Sequence, residues 1–74
     1  MRDLKRGEAG IVIGFLESVA VLEEELREIG FAEGDEVEVL EFGAVNRSPV
    51  SVRLNRTIIA VRGHEAAAIE LRRV

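Results

Sequence analysis

The sequence contains no cysteine, tryptophan or tyrosine, and it has a single histidine and a single proline. Without cysteine the chain can form neither disulfides nor thiolate metal ligands, which suits a reducing cytosol. A transition-metal site needs three or four converging ligands, and one histidine leaves carboxylates to supply the rest. These absences predict a cytoplasmic protein with no tightly held metal and no cofactor.

Aromatic residues are also scarce, and the ten basic residues are outnumbered by fourteen acidic ones. The chain has three phenylalanines, and its net charge is −4. Nucleic-acid binding usually needs clustered Lys and Arg facing phosphates, together with aromatic rings that stack on bases, so nucleic acid is not an expected partner. No apolar run approaches the roughly 18 residues of a membrane span, and no signal peptide is visible. We expect residues 1–74 to form one domain that does not insert into a membrane.

The stretch from Ser18 to Phe42 is the most strongly patterned part of the chain. It predicts an amphipathic helix, a glycine stop, a tight turn and a strand. Ser18 can cap the helix through its hydroxyl, and Gly30 can end it because glycine reaches positive φ without steric cost. Leu26 and Phe31 then occupy the two positions that touch in a Schellman ending. The predicted apolar stripe of the helix consists of Val19, Leu22, Leu26 and Ile29.

Alternating apolar residues predict strands on both sides of this helix. Ala9–Leu16 is the first, with Ile11, Ile13 and Phe15 expected on one face and Val12 and Leu16 on the other. In the second strand Val37 and Val39 set the phase. Leu40 breaks that phase, which predicts a bulge at this point. The longest loop is expected over residues 43–49.

The rest of the chain predicts short elements with short connections. They are a strand with Val50, Val52 and Leu54, a hairpin turn at Asn55-Arg56, a strand over Thr57–Arg62, a helical turn over Gly63–Ala68, a closing strand with Ile69 and Leu71, and a tail over Arg72–Val74. Connections this short exclude parallel crossovers. The pattern favours a mainly β fold: a small barrel of about five strands, with one helix inserted after the first strand and a helical turn before the last.

Clusters of polar residues give little sign of chemistry. His64-Glu65 is the one pair that could hold a weak divalent ion, and an exposed helical turn explains it as well. Four glutamates of the predicted helix point in different directions, so they form no single cage for a cation; they are Glu23, Glu24, Glu25 and Glu28. No serine has a histidine at a suggestive spacing. The chain is therefore not expected to be an enzyme, and no catalytic residue is assigned.

The order and spacing of four segments resemble the FeoA family of bacterial ferrous iron transport. The most distinctive segment has the pattern L-x-x-x-L-x-x-x-G-F-x-x-G-x-x-V-x-V, which this chain fills with Leu22, Leu26, Gly30, Phe31, Gly34, Val37 and Val39. The other three are Leu4-Lys5-x-Gly7-Glu8, Ser48-Pro49-Val50-Ser51-Val52 and Ile59-Ala60-Val61-Arg62. By this resemblance the fold is an SH3-like β-barrel. Arg6 and Arg56 depart from the family pattern, which often has proline and glycine there.

The resemblance implies an accessory of ferrous iron uptake. Such a protein is a non-catalytic interaction module for FeoB, a membrane transporter with a cytosolic G domain, and it lies at the inner membrane only through that partner. Binding of transition metal ions is a family-level expectation. One alternative is a stand-alone regulatory domain such as those of DtxR-like repressors, although no winged helix precedes it here. Another is a nucleic-acid-binding SH3-like module, and homo-oligomerisation is left open.

The chain has more apolar residues than the interior of one small barrel should need. We therefore expect several of them on the surface, notably Ile11, Leu16, Val45 and Ile58. Interfaces join such apolar groups to a polar rim. The residues predicted to contact a partner are Ile11, Leu22, Arg27, Phe31 and Ile58.

Overall fold

The computed structural model describes residue 1, residues 4–16 and residues 20–74. The elements in chain order are β1 (Ala9–Phe15), α1 (Ala20–Ile29), β2 (Glu36–Gly43), β3 (Arg47–Leu54), β4 (Thr57–Val61), α2 (Gly63–Ala68) and β5 (Ile69–Arg73). The five strands form one antiparallel sheet in the order β4-β3-β2-β1-β5. The predicted mainly β architecture, with its inserted helix and its later helical turn, is confirmed.

One hydrophobic core lies on the inner face of the sheet. Val37, Val39, Val50 and Val52 are all fully buried in it. The strands at the two ends of the sheet, β4 and β5, contribute to this same cluster through Val61 and Ile69. Because opposite ends of the sheet share one core, the sheet is curled.

The end of α1 follows the predicted Schellman geometry. Gly30 has a φ of 129°. The N–H of Phe31 donates to the carbonyl of Leu26 at 3.1 Å, and the N–H of Gly30 donates to the carbonyl of Arg27 at 3.1 Å. Leu26 and Phe31 are both buried in the core. The predicted cap Ser18 and the stripe residue Val19 lie outside the described residues.

The predicted apolar stripe of α1 is wrong at its last position. Ile29 is 45% exposed, whereas Leu26 is fully buried. The helix ends at Ile29, and beyond Gly30 it is Phe31 that is buried with Leu26.

The predicted phase of the first strand is also wrong. Val12 and Phe15 face the core together, and Ile13 is 54% exposed. The pairing of β1 with β5 shifts register between Val12 and Gly14, which places Ile13 in a bulge. A bulge adds one residue and reverses the faces of the residues that follow. Leu16 lies beyond the end of the strand and is 40% exposed.

The bulge expected near Leu40 is confirmed, because the β2–β3 register shifts between Val39 and Glu41. The loop after it is shorter than predicted, since β3 already begins at Arg47. The N–H of Ser48 donates to the carbonyl of Val45 at 2.9 Å. Asn46 and Arg47 between them have φ values of 53° and 60°, so the connection is a tight two-residue turn of the I′ kind.

Two further boundaries differ from prediction. The fourth strand ends at Val61, because Arg62 is the N-cap residue of α2. The predicted tail is largely part of β5, where Arg72 pairs with Ile11 and Arg73 pairs with Gly10. The expected hairpin at Asn55-Arg56 is present, and of its two residues only Asn55 has positive φ, at 57°. Because Arg56 does not adopt positive φ, a residue other than glycine fits at the second central position.

Candidate interaction surface

The outer face of the sheet, directed away from the core, carries a row of residues in register across four strands. Ile58 on β4 pairs with Arg53, Arg53 pairs with Glu38, and Glu38 pairs with Ala9. The guanidinium of Arg53 and the carboxylate of Glu38 form an ion pair at 2.6 Å. Ile58 is 62% exposed at the end of this row. The row therefore presents an apolar side chain beside a charged pair that is already neutralised.

Ile11, which was also predicted to contact a partner, lies on another part of this face. It is half-buried on β1, between Glu36 of β2 and Arg72 of β5. Three strand spacings, about 14 Å, separate β1 from β4 along the sheet. Ile11 and Ile58 thus belong to separate parts of the outer face.

Arg27 makes several contacts within the chain. Its Nε donates to the Glu23 carboxylate at 3.1 Å, and its two terminal nitrogens donate to the Glu33 carboxylate, each at 2.9 Å. Its guanidinium also lies over the Phe15 ring, 4.7 Å from the centroid. The hydrogen bonds from Arg27 lower the pKa of Glu33 to about 2, and those to Glu33 and Glu23 raise the pKa of Arg27. Arg27 therefore ties α1 to the turn after it and to β1.

The predicted contact patch on the helix is only partly available. Phe31 is 1% exposed, so its inclusion among the partner-contacting side chains is wrong in this structure. It is buried because it completes the helix ending against Leu26. Leu22 is half-buried and packs against the core. The exposed apolar side chains of α1 are instead Val21, which is 73% exposed, and Ile29.

The metal candidates on α2 do not converge. His64 is exposed. The carboxylate of Glu65 accepts the backbone N–H of Arg62 at 2.8 Å, so it is engaged at the start of the helix. Within residues 4–16 and 20–74 no group of three or more His, Asp or Glu side chains is placed to hold a metal ion.

Two surface features escaped the sequence-based prediction. At the β2–β3 turn Val45 is 73% exposed, as expected, but the Arg47 guanidinium stacks on the Phe42 ring at 3.9 Å. The pair Asn46-Arg47 was the available signal, since asparagine favours such turns. A groove of about 360 Å³ lies between β1 and the β5–α2 corner, with Ile13, Ala67 and Leu71 among its lining residues. No local signal could reveal it, because Ile13 reaches it through the bulge.

Comparisons with known proteins identify a family. A sequence profile of the FeoA domain matches residues 1–73. The zinc complex of FeoA from Stenotrophomonas maltophilia is 28% identical with a TM-score of 0.76, over 93% of this chain and 84% of that one. That protein is described as an SH3 domain protein and a candidate activating factor of bacterial ferrous iron transport. FeoA from Chlorobium tepidum is 28% identical with a TM-score of 0.79, over 97% and 67% of the two chains.

A more distant neighbour is a manganese-dependent transcriptional repressor. It is 16% identical with a TM-score of 0.82, over 97% of this chain and 39% of that one. At this identity the likeness shows the fold alone. No curated protein matches the chain. Neither of the helices described here has the length and apolar character needed to span a membrane.

Proposed function

The chain belongs to the FeoA family, and we propose that it is an accessory of ferrous iron uptake that binds the cytosolic side of a FeoB-like membrane transporter. In this role it is a single non-catalytic interaction domain of the cytoplasm, held at the inner membrane through its partner. The family match over residues 1–73 carries the proposal. The description of the Stenotrophomonas maltophilia protein as a candidate activating factor of ferrous iron transport supports it.

The surface chemistry fits a protein partner. Interfaces combine exposed apolar groups with polar surroundings, and Ile58 beside the Arg53–Glu38 ion pair has this form. Three of the four apolar residues expected on the surface are more than one-third exposed: Leu16, Val45 and Ile58. Scattered exposure of single apolar residues is common in soluble proteins, so binding data must select among them.

The proposal includes no tightly held metal in the monomer. His64 is exposed, and the Glu65 carboxylate is engaged by the Arg62 N–H. A metal ion would then reach this domain as the cargo of its partner.

A second candidate function is a stand-alone regulatory domain. The manganese-dependent repressor, of which this chain covers 39%, contains a domain of the same fold, and this arrangement fits the alternative. A nucleic-acid-binding module is disfavoured by the net charge of −4 and by the scarcity of aromatic residues. A low-salt titration with RNA separates the nucleic-acid-binding module from the first proposal, which predicts no binding.

The test is association with the transporter in native membranes. The tagged protein should co-purify with the FeoB-like transporter, and deletion of its gene should reduce ferrous iron uptake. Ile58→Glu should weaken association, because it places a charge in the apolar contact. Val21→Glu is the matched control, since Val21 is similarly exposed but lies on α1. No association together with unchanged uptake would contradict the proposed function.

A further inference from the structure

β4 stands at one end of the sheet. Within the described part of the chain β3 is its only neighbouring strand. The Leu54–Thr57 pair closes a two-residue turn, and Ile59 and Val61 also pair with β3 residues at every second position. In an antiparallel ladder, the pair that closes such a turn exchanges hydrogen bonds, and the residues between successive bonded pairs turn both backbone groups outward. Ile58 and Ala60 therefore direct their N–H and C=O groups away from the sheet.

The two ends of the sheet differ in how they are protected. Natural edge strands carry charged residues, proline or bulges that prevent pairing with another chain. β5 has Glu70, Arg72 and Arg73, and its pairing with β1 is bulged. The five residues of β4, Thr57–Val61, contain no charge and no proline, and their pairing with β3 has no register shift. β4 is thus the end of the sheet that retains the ability to pair.

Charges lie at both ends of this strand. Ile58 and Ala60 are on the outer face by the two-residue period of a strand. Arg56 precedes β4 in the hairpin turn, Arg62 follows it at the start of α2, and all four residues are exposed. Arg56 and Arg62 lie at the two ends, about 20 Å apart along an extended chain. Neither guanidinium has an ion-pair partner among the described residues. The Glu65 carboxylate, which accepts the Arg62 N–H, lies near one end, so Arg56 is the less compensated cation.

We propose that the β4 edge, defined as Thr57–Val61 with Arg56 and Arg62, accepts an extended segment of the partner as an added strand. The segment has an apolar centre and a carboxylate at each end. Main-chain hydrogen bonds to Ile58 and Ala60 supply the pairing, and the arginines select the charges. The identification of that partner with the transporter rests on the proposed function.

A second copy of this chain fits the β4 edge less well. The register that pairs β4 over its whole length with β4 of another copy is antiparallel and centred on Ile59, and it would place Arg56 opposite Arg62 of the other copy. Like charges directly opposite each other destabilise a strand pair. A segment with carboxylates at both ends removes this conflict, which is why the charges favour a different partner.

The test uses two synthetic peptides with the same alternating Val-Thr centre, one flanked by Glu and the other by Lys. Each is titrated into the ¹⁵N-labelled full chain at low salt. The Glu-flanked peptide should shift the amide signals of Ile58 and Ala60 and bind about tenfold more tightly than the Lys-flanked peptide. Added salt should reduce the difference in affinity between the two peptides, because it screens the charges. No shift in β4 with millimolar Glu-flanked peptide would overturn the proposal and leave the arginines as edge protection only.

Matched variants separate backbone pairing from side-chain contact. Ala60→Pro removes one outward N–H and should abolish peptide binding, whereas Ala60→Val keeps that N–H and should bind normally. Arg56→Glu should shift preference toward the Lys-flanked peptide. If Ala60→Pro does not fold, the preference of Arg56→Glu decides. The proposal would be overturned if a folded Ala60→Pro variant bound the peptide as the parent does, or if Arg56→Glu kept the parent's preference for the Glu-flanked peptide. It would also be overturned if the amide shifts followed self-association of the chain measured by sedimentation.

The outcomes for the β4 edge and for the proposed function are distinguishable. If the Glu-flanked peptide binds and the transporter does not associate, the edge accepts strands as proposed and the transporter role falls. If the transporter associates equally with Ala60→Pro and Ala60→Val, the edge proposal falls and the transporter role stands.

Discussion

The helix–turn unit, residues 20–35, and the β4 edge use their polar and apolar groups in opposite ways. In the helix–turn unit Arg27 is bound by two carboxylates and a ring, and Leu26 is fully buried. At the β4 edge Ile58 is 62% exposed and the two flanking arginines have no ion-pair partner among the described residues. The first region satisfies its interactions inside the chain. The second leaves them for another molecule, so changes in the two regions should affect different measurements.

The largest expected effect is in the core of the helix–turn unit. Leu26→Ala should destabilise the domain by roughly 2–5 kcal/mol, because it removes a fully buried side chain and leaves a cavity. Chemical denaturation measures this loss. Ile29→Ala on the same helix is the control and should cost under about 1 kcal/mol, since Ile29 is 45% exposed. Equal costs would remove the distinction between buried and exposed positions of α1.

A smaller loss is expected at the helix ending. Gly30→Ala should cost about 1–3 kcal/mol, because φ is 129° there and a side chain disfavours that backbone conformation. The added Cβ itself would meet only Leu54 Cδ2 at 3.7 Å, an ordinary contact. Gly14→Ala is the control: its Cβ would meet only the Glu70 carboxylate, at 3.8 Å, and no positive φ opposes it. If the denaturation midpoints of both variants fell equally, the positive φ of Gly30 would not be the cause of the loss.

At the β4 edge the expected change is in association, with little change in stability. Ile58→Thr keeps a β-branched side chain and should alter the free energy of unfolding by less than about 1 kcal/mol. Its affinity for the transporter should nevertheless fall, because apolar contact area is lost. Parallel denaturation and pull-down assays measure both quantities. If Ile58→Thr lowered the free energy of unfolding and kept the affinity for the transporter, the assignment of Ile58 to binding would be wrong.

The ion pair of the helix–turn unit should give a pH-dependent contribution. The hydrogen bonds from Arg27 lower the pKa of Glu33 to about 2, from an ordinary value near 4.5. A lowered folded-state pKa stabilises the protein above the unfolded value, and this stabilisation is lost as the pH falls from about 4.5 to 2. The stability difference between the parent and Glu33→Gln should therefore shrink across that window. In an Arg27→Gln background, which lacks those hydrogen bonds, the same difference should change less across the window.

The smallest expected effect concerns metal. Calorimetry with ferrous, zinc or manganese ions should show only weak binding to the monomer, and His64→Ala should leave the heat signal unchanged. The reason is that His64 is exposed and Glu65 is engaged by a backbone N–H. A submicromolar dissociation constant that is lost in His64→Ala would contradict this expectation.

Features that depend on local geometry could be predicted from the sequence. The helix ending was predictable because Gly30, Leu26 and Phe31 interact through local geometry. The bulge at Leu40 was predictable for a related reason: a break in alternation is visible along one strand. Phe31 was nevertheless also assigned to a partner surface, although the same helix ending requires it to be buried.

Features that depend on pairing between distant strands were not predictable. β1 is apolar on both faces, so its phase is set by the bulge opposite β5, and Ile13 faces outward for that reason. The exposure of Ile58 was expected from an excess of apolar residues. Its place on a strand with a free edge follows from the sheet order, which no local pattern reveals.

Amide hydrogen exchange in the presence and absence of the transporter shows directly whether β4 is the contacting surface. The outward amides of Ile58 and Ala60 should exchange rapidly in the free protein and become protected in the complex. The amides of α1, whose interactions are already satisfied, should keep their exchange rates. Protection that appears on α1 while Ile58 and Ala60 stay unprotected would contradict the claim that β4 is the surface left for a partner.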